Sequence, residues 1–114
     1  LKLENSMETL QTEINSLESG GTKDGILFYA IDREVFLMTF NEDSNIEECY
    51  LVPCIALCFE ESCENPWYPK PLNSYVIFGT KGIAADLSKS EGDYFILKLE
   101  SKEGKVYVTP DYQN

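Results

Sequence analysis

Tyr94-Phe95-Ile96-Leu97-Lys98-Leu99 and Lys105-Val106-Tyr107-Val108-Thr109, joined through Ser101-Lys102-Glu103-Gly104, decide the fold class. Both runs are rich in the aromatic and β-branched residues that fit a pleated surface. In the first, Phe95, Leu97 and Leu99 alternate with Tyr94, Ile96 and Lys98, so one face reads as fully apolar and the other as partly so. Gly104 supplies the left-handed position of a hairpin turn. Two strands joined so closely run antiparallel, and the domain is built on that arrangement.

Working back along the chain, Tyr75-Val76-Ile77-Phe78 reads as a further strand. Residues 25–31 and 34–40 read as two more, with Asp32-Arg33 between them as a tight hairpin. Residues 41–48 form a polar loop, and residues 65–71, with Pro66, Pro69 and Pro71, a rigid loop whose prolines exclude regular pairing. Residues 50–63 allow two readings. One is a buried strand that ends or bulges near Pro53; the other is a short helix with Pro53 in its first turn. Near the amino terminus, Asn5-Ser6-Met7-Glu8 resembles a capping box. Met7, Leu10, Ile14 and Leu17 follow at helical spacing, and Gly20-Gly21 supplies a left-handed stop, so a helix is expected at about residues 6–19. Its narrow apolar stripe suits a helix lying on a sheet. Leu10, Ile14 and Leu17 are expected against Phe28, Phe36, Ile77, Phe95, Leu97 and Val106. The expectation is one α+β domain over residues 1–114. Its amino-terminal helix packs on a mainly antiparallel sheet of about five to seven strands.

The 114-residue length suits one domain able to bury a core unaided, and the 43% hydrophobic fraction argues against disorder. No apolar run approaches the roughly 20 residues of a membrane-spanning helix. The first residues do not read as a signal peptide. The net charge is −11 and uneven: twelve acids against three bases in residues 1–60, eight against six in residues 61–114. Such a field repels nucleic acid and anionic membranes and favours basic partners.

The chain contains no histidine, which removes the commonest general base and metal ligand. No nucleophile elbow, Walker loop or dinucleotide fingerprint is present, and Gly79-Thr80-Lys81-Gly82 reads as a simple loop. No catalytic residue, metal ligand or cofactor is expected. Cys49, Cys54, Cys58 and Cys63 stand at C-x4-C-x3-C-x4-C spacing with core residues between them. They read first as buried structural thiols in a reducing cytoplasm. Disulfides and a zinc or iron–sulfur site are the alternatives. Asp43, Asn45, Glu47 and Glu48, and likewise residues 86–93, offer oxygens in part like a calcium loop. Neither has the required glycine position, so both read as solvated turns.

Candidate binding residues are the acidic groups Glu42, Asp43, Glu47 and Glu48, then Glu60, Glu61 and Glu64, with Trp67 and Tyr68 as aromatic anchors on a stiff loop. Residues 75–82 with Gly104-Lys105-Val106-Tyr107-Val108 resemble the sheet segment of an α+β superfamily that includes bacterial toxin-neutralising immunity proteins. The likeness covers about a third of the chain; it lacks the family's multi-glycine turn and has one amino-terminal helix where the family has several. It implies an interaction protein. The expected function is a non-enzymatic protein-interaction module whose acidic surface binds a basic protein partner, for example as an immunity or inhibitor-type protein. The rivals are a small-ligand-binding sheet domain with aromatics lining a cavity, and a zinc-supported adaptor.

Overall fold

The structure is a computed structural model that describes residues 2–29, 35–40, 46–78, 84–86 and 94–110, with the backbone alone for residues 84–86. Helix α1 spans Lys2–Ser16. The strands are β1 Thr22–Tyr29, β2 Phe36–Phe40, β3 Cys54–Cys58, β4 Trp67–Pro71, β5 Tyr75–Phe78, β6 Ala84–Asp86, β7 Tyr94–Lys102 and β8 Lys105–Pro110, and a 3-10 helix covers Glu47–Cys49. They form two four-stranded sheets, ordered β1-β7-β8-β5 and β4-β3-β2-β6. Among the described residues all pairings are antiparallel except β5 with β8. The α+β class and the mainly antiparallel pairing agree with the sequence reading, but the strands are shared between two sheets.

The two sheets and α1 close on one another. Helix α1 touches both β1 and β4, and β5 touches β6. The helix thus closes the side left open between two sheet edges. Its stripe of Leu3, Met7, Leu10 and Ile14 is buried in a single core, with Leu17 packed against it. The first sheet contributes Phe28, Val76, Phe78, Phe95, Leu97, Leu99, Val106 and Val108; the second contributes Leu37, Ile55 and Leu57. Each fully buried aliphatic side chain contributes about 1.5–3 kcal/mol, so this shared core is what holds the sheets to the helix.

The hairpin that decides the class forms as expected. Phe95, Leu97 and Leu99 are buried, Tyr94 and Lys98 are exposed and Ile96 lies between. Lys102 pairs with Lys105, and the two residues between them, Glu103 (φ 55°) and Gly104 (φ 79°), are both left-handed. That is the backbone twist a two-residue hairpin needs.

Several expectations are corrected. The helix begins at Lys2, so Asn5 lies within it and the capping box does not form. Ser6 turns to the core side instead, where its Oγ accepts a hydrogen bond from the Tyr29 amide at 2.9 Å. The helix stops at Ser16, and Gly20 (φ 80°) serves a separate turn in which the Gly21 amide donates to the Glu18 carbonyl at 2.8 Å. Strands β1 and β2 lie in different sheets and so make no hairpin with each other; Asp32-Arg33 lies outside the described residues. Each strand still contributes to the main core, Phe28 from β1 and Leu37 from β2. Phe36 and Ile77 do not face α1, because a strand alternates faces and their neighbours Leu37, Val76 and Phe78 hold the inward positions. Phe36 joins Met38 and Cys58 in a second cluster, apart from the main core.

Residues 54–58 are strand, which sets aside the helical alternative. Pro53 immediately precedes the strand and so deletes no donor from it. The segment read as a proline-stiffened loop is in part strand β4. It is tolerated because β4 is a sheet edge, where a strand needs ladder donors on one side alone. A bulge interrupts its register opposite Ile55 and Leu57, and Tyr68 in that bulge is left-handed at φ 55°.

Candidate functional site

All five residues of β3 are buried. Alternation sends Ile55 and Leu57 to the main core and Cys54, Ala56 and Cys58 to the opposite face. Both ends of the strand are covalently tied. Cys54 is disulfide-bonded to Cys49, and Cys58 to Cys63, with Cα separations of 5.9 and 5.2 Å. No cysteine is free, which corrects the reading as structural thiols. The apolar spacers did signal burial, but of the strand between the two pairs. Cys49 and Cys63 lie just beyond the strand, where the chain folds back within bridging distance.

Each bridge pins an acidic segment to one end of β3. At the Cys54 end, Glu47 and Glu48 are exposed on the 3-10 helix that ends at Cys49. At the Cys58 end, Glu60, Glu61 and Glu64 are exposed around Cys63, and the Glu64 amide donates to Glu60 Oε1 at 3.3 Å. The two groups are separated by the length of the strand, about 13 Å at the usual rise per residue. Glu42 and Asp43 lie outside the described residues, as do Asn45 and residues 87–93 of the calcium-like turns.

Trp67 and Tyr68 do come together, but on a strand rather than on the stiff loop expected. Trp67 is 37% exposed. Its ring centroid lies 5.9 Å from Phe59 and 5.4 Å from Tyr68. Tyr68 is half-buried, and its hydroxyl donates to Glu8 Oε1 on α1 at 2.9 Å. Lys70 Nζ sits 3.4 Å from the same oxygen and 4.3 Å from the Tyr68 ring centroid. The Tyr68 hydroxyl, followed by Lys70, holds the Glu8 carboxyl below its usual range; donation to that carboxylate raises the Tyr68 phenol. Further along the seam, Gln11 Nε2 donates to the Pro71 carbonyl at 2.8 Å, and the Asn73 amide donates to Asn15 Oδ1 at 3.0 Å. Glu8, Gln11 and Asn15 share one helix face, at spacings of three and four, so Tyr68 belongs to a polar seam between α1 and β4.

The sequence reading missed Tyr50 and Leu51. They are the most exposed large apolar residues described, at 78% and 67%. They project from the loop closed by Cys49–Cys54; two apolar residues inside a C-x4-C segment ending in Pro53 are the signal that could have found them.

Among the described residues no group of three or more Cys, Asp or Glu side chains is placed to hold a metal ion. A cleft of about 470 Å³ is lined by Ser19, Gly20, Thr22, Glu100, Ser101, Lys102 and Glu103. That lining is polar and contains no aromatic residue. No helix among the described residues is long and apolar enough to cross a membrane. Comparison with protein families, curated proteins and solved structures finds no match.

Proposed function

We propose that the protein is a non-enzymatic interaction module that binds a basic protein partner through the acidic segments at the two ends of β3. The observation that carries this reading is that each acidic segment is disulfide-pinned to a fully buried strand. Carboxylates on free loops lose conformational entropy when a partner orders them; these are held in advance, so less is lost on binding. The net charge of −11 would steer a basic partner from a distance. An inhibitor or immunity-type role is one concrete form of this function.

The rival readings have less support. A small-ligand domain was expected to use aromatics around a cavity; the cleft lined by Ser19, Thr22, Glu100 and Lys102 is polar. A zinc adaptor needs thiolates, and the four sulfurs are paired. The expectation of a cytoplasmic location rested on free thiols. With the cysteines paired, we favour an oxidising compartment.

The test begins with a partner isolated from the source organism under non-reducing conditions. Replacing Glu47, Glu48, Glu60, Glu61 and Glu64 with glutamine should slow its association and flatten the dependence of the rate on salt. A partner of acidic pI, or association rates equal to the parent's at low and physiological salt, would reject the proposal.

A further inference from the structure

Residues 49–52 form a type II turn. Tyr50 lies at φ −63°, ψ 119°, Leu51 at φ 59°, and the Val52 amide donates to the Cys49 carbonyl at 3.3 Å. The third position of such a turn is one that glycine takes without strain and a branched apolar residue does not. Here it holds leucine, 67% exposed, next to a tyrosine 78% exposed. Burial does not explain the choice of either residue, and turn closure would be served better by glycine. The Cys49 and Cys54 side chains that close the loop are themselves buried, so the turn projects from a fixed base.

We infer that the Tyr50-Leu51 turn is a preorganised anchor that inserts into an apolar pocket of a protein partner, a pocket rimmed by lysine or arginine. This rests on the reading of the acidic ends of β3 as the contact surface and names the apolar element within it. The basic rim follows from charge. Glu47 and Glu48 are exposed immediately before the turn, while Lys70 on neighbouring β4 is engaged by Glu8. An apolar tip beside unneutralised carboxylates is repelled by anionic lipid and by a second copy of the same surface, but complements a basic rim. Rigid aromatic and aliphatic anchors ordered before contact lose little entropy on binding and dominate the dissociation rate.

The experiment places a photo-crosslinking phenylalanine analogue at position 50 of the full, disulfide-intact chain in an extract of the source organism. The crosslinked protein is then purified and its binding measured against Leu51→Gly, Tyr50→Ser and Glu47→Gln/Glu48→Gln. The crosslink should map to an apolar pocket bordered by basic residues. Leu51→Gly should speed dissociation by about tenfold or more, as loss of a central anchor does, with its thermal midpoint unchanged or raised. Tyr50→Ser, a change at an exposed side chain, guards against an unforeseen folding defect and should act the same way. Absence of a crosslink, or a crosslink to lipid, to a second copy or to an acidic protein, overturns the inference. So does a parental dissociation rate in both turn variants. If the glutamine pair slows association while the turn variants behave like the parent, the acidic-surface reading stands and the anchor is wrong. If neither set changes binding, both fall.

Discussion

Tyr68 shows how one side chain can look like a binding anchor in sequence and act as a clasp in the fold. Its position among prolines made it read as a stiff, displayed aromatic. Its left-handed backbone at φ 55° turns the ring toward α1, where the hydroxyl meets Glu8. The two groups should titrate in opposite directions from their ordinary ranges. The Glu8 carboxyl is held low in the folded state, so its contribution is present above the unfolded carboxylate range and fades as pH falls through the folded value. The Tyr68 phenol is held high, so its contribution is present below the unfolded phenol range and fades as pH rises through the folded value. In 13C NMR of labelled tyrosines, the Tyr68 ring should titrate above the ordinary phenol range. Glu8→Gln should move that titration down; an unmoved midpoint would show that the clasp is not formed in solution.

At the scale of elements, α1 is the piece most legible in sequence and also the one whose start was misread. The apolar spacing from Met7 to Leu17 is unmistakable, but Asn5-Ser6 drew the boundary inward because cap residues are recognised by type. Ser6 spends its hydroxyl on the Tyr29 amide. Leu10 and Ile14 are at most 1% exposed, so Leu10→Ala or Ile14→Ala should each cost about 2–4 kcal/mol in denaturant unfolding. An unchanged midpoint in both would make the helix peripheral. Strand β3 makes a complementary prediction. Each of its bridges closes a short loop, with a sequence separation of 5, and loop-closure entropy gives about 2 kcal/mol for such a loop. Removing either bridge with paired serines should therefore lower stability by at least that much, since the buried sites of Cys49, Cys54 and Cys58 would also take up a hydroxyl. Retention of parental stability after reduction would argue that the bridges do not constrain the folded chain.

For the molecule as a whole, the charge of −11 includes carboxylates exposed at both ends of β3. Their mutual repulsion opposes folding and is screened by salt. The thermal midpoint should accordingly rise between about 10 mM and 500 mM sodium chloride, across which the Debye length falls from about 30 Å to a few ångströms. The glutamine variant at positions 47, 48, 60, 61 and 64 should begin higher and rise less. A parent midpoint that is flat in salt would mean that the acids are spaced too widely to matter.

Residue type and spacing by themselves determined the α+β class, the apolar stripe of α1, the alternation of β7 and β8 and their turn, because these are local patterns repeated over several residues. They also marked the acidic segments. Tertiary structure decided what local pattern cannot. It placed β1 and β2 in different sheets, since each strand chooses its neighbour by the face it can bury. It let β4 pair in spite of Pro69 and Pro71, since a sheet edge needs donors on one side. It joined Cys49 to Cys54 and Cys58 to Cys63, since pairing depends on where the chain returns rather than on how apolar the spacers are. And it exposed Tyr50 and Leu51, because a covalently closed turn can hold in water two residues that composition alone assigns to the core.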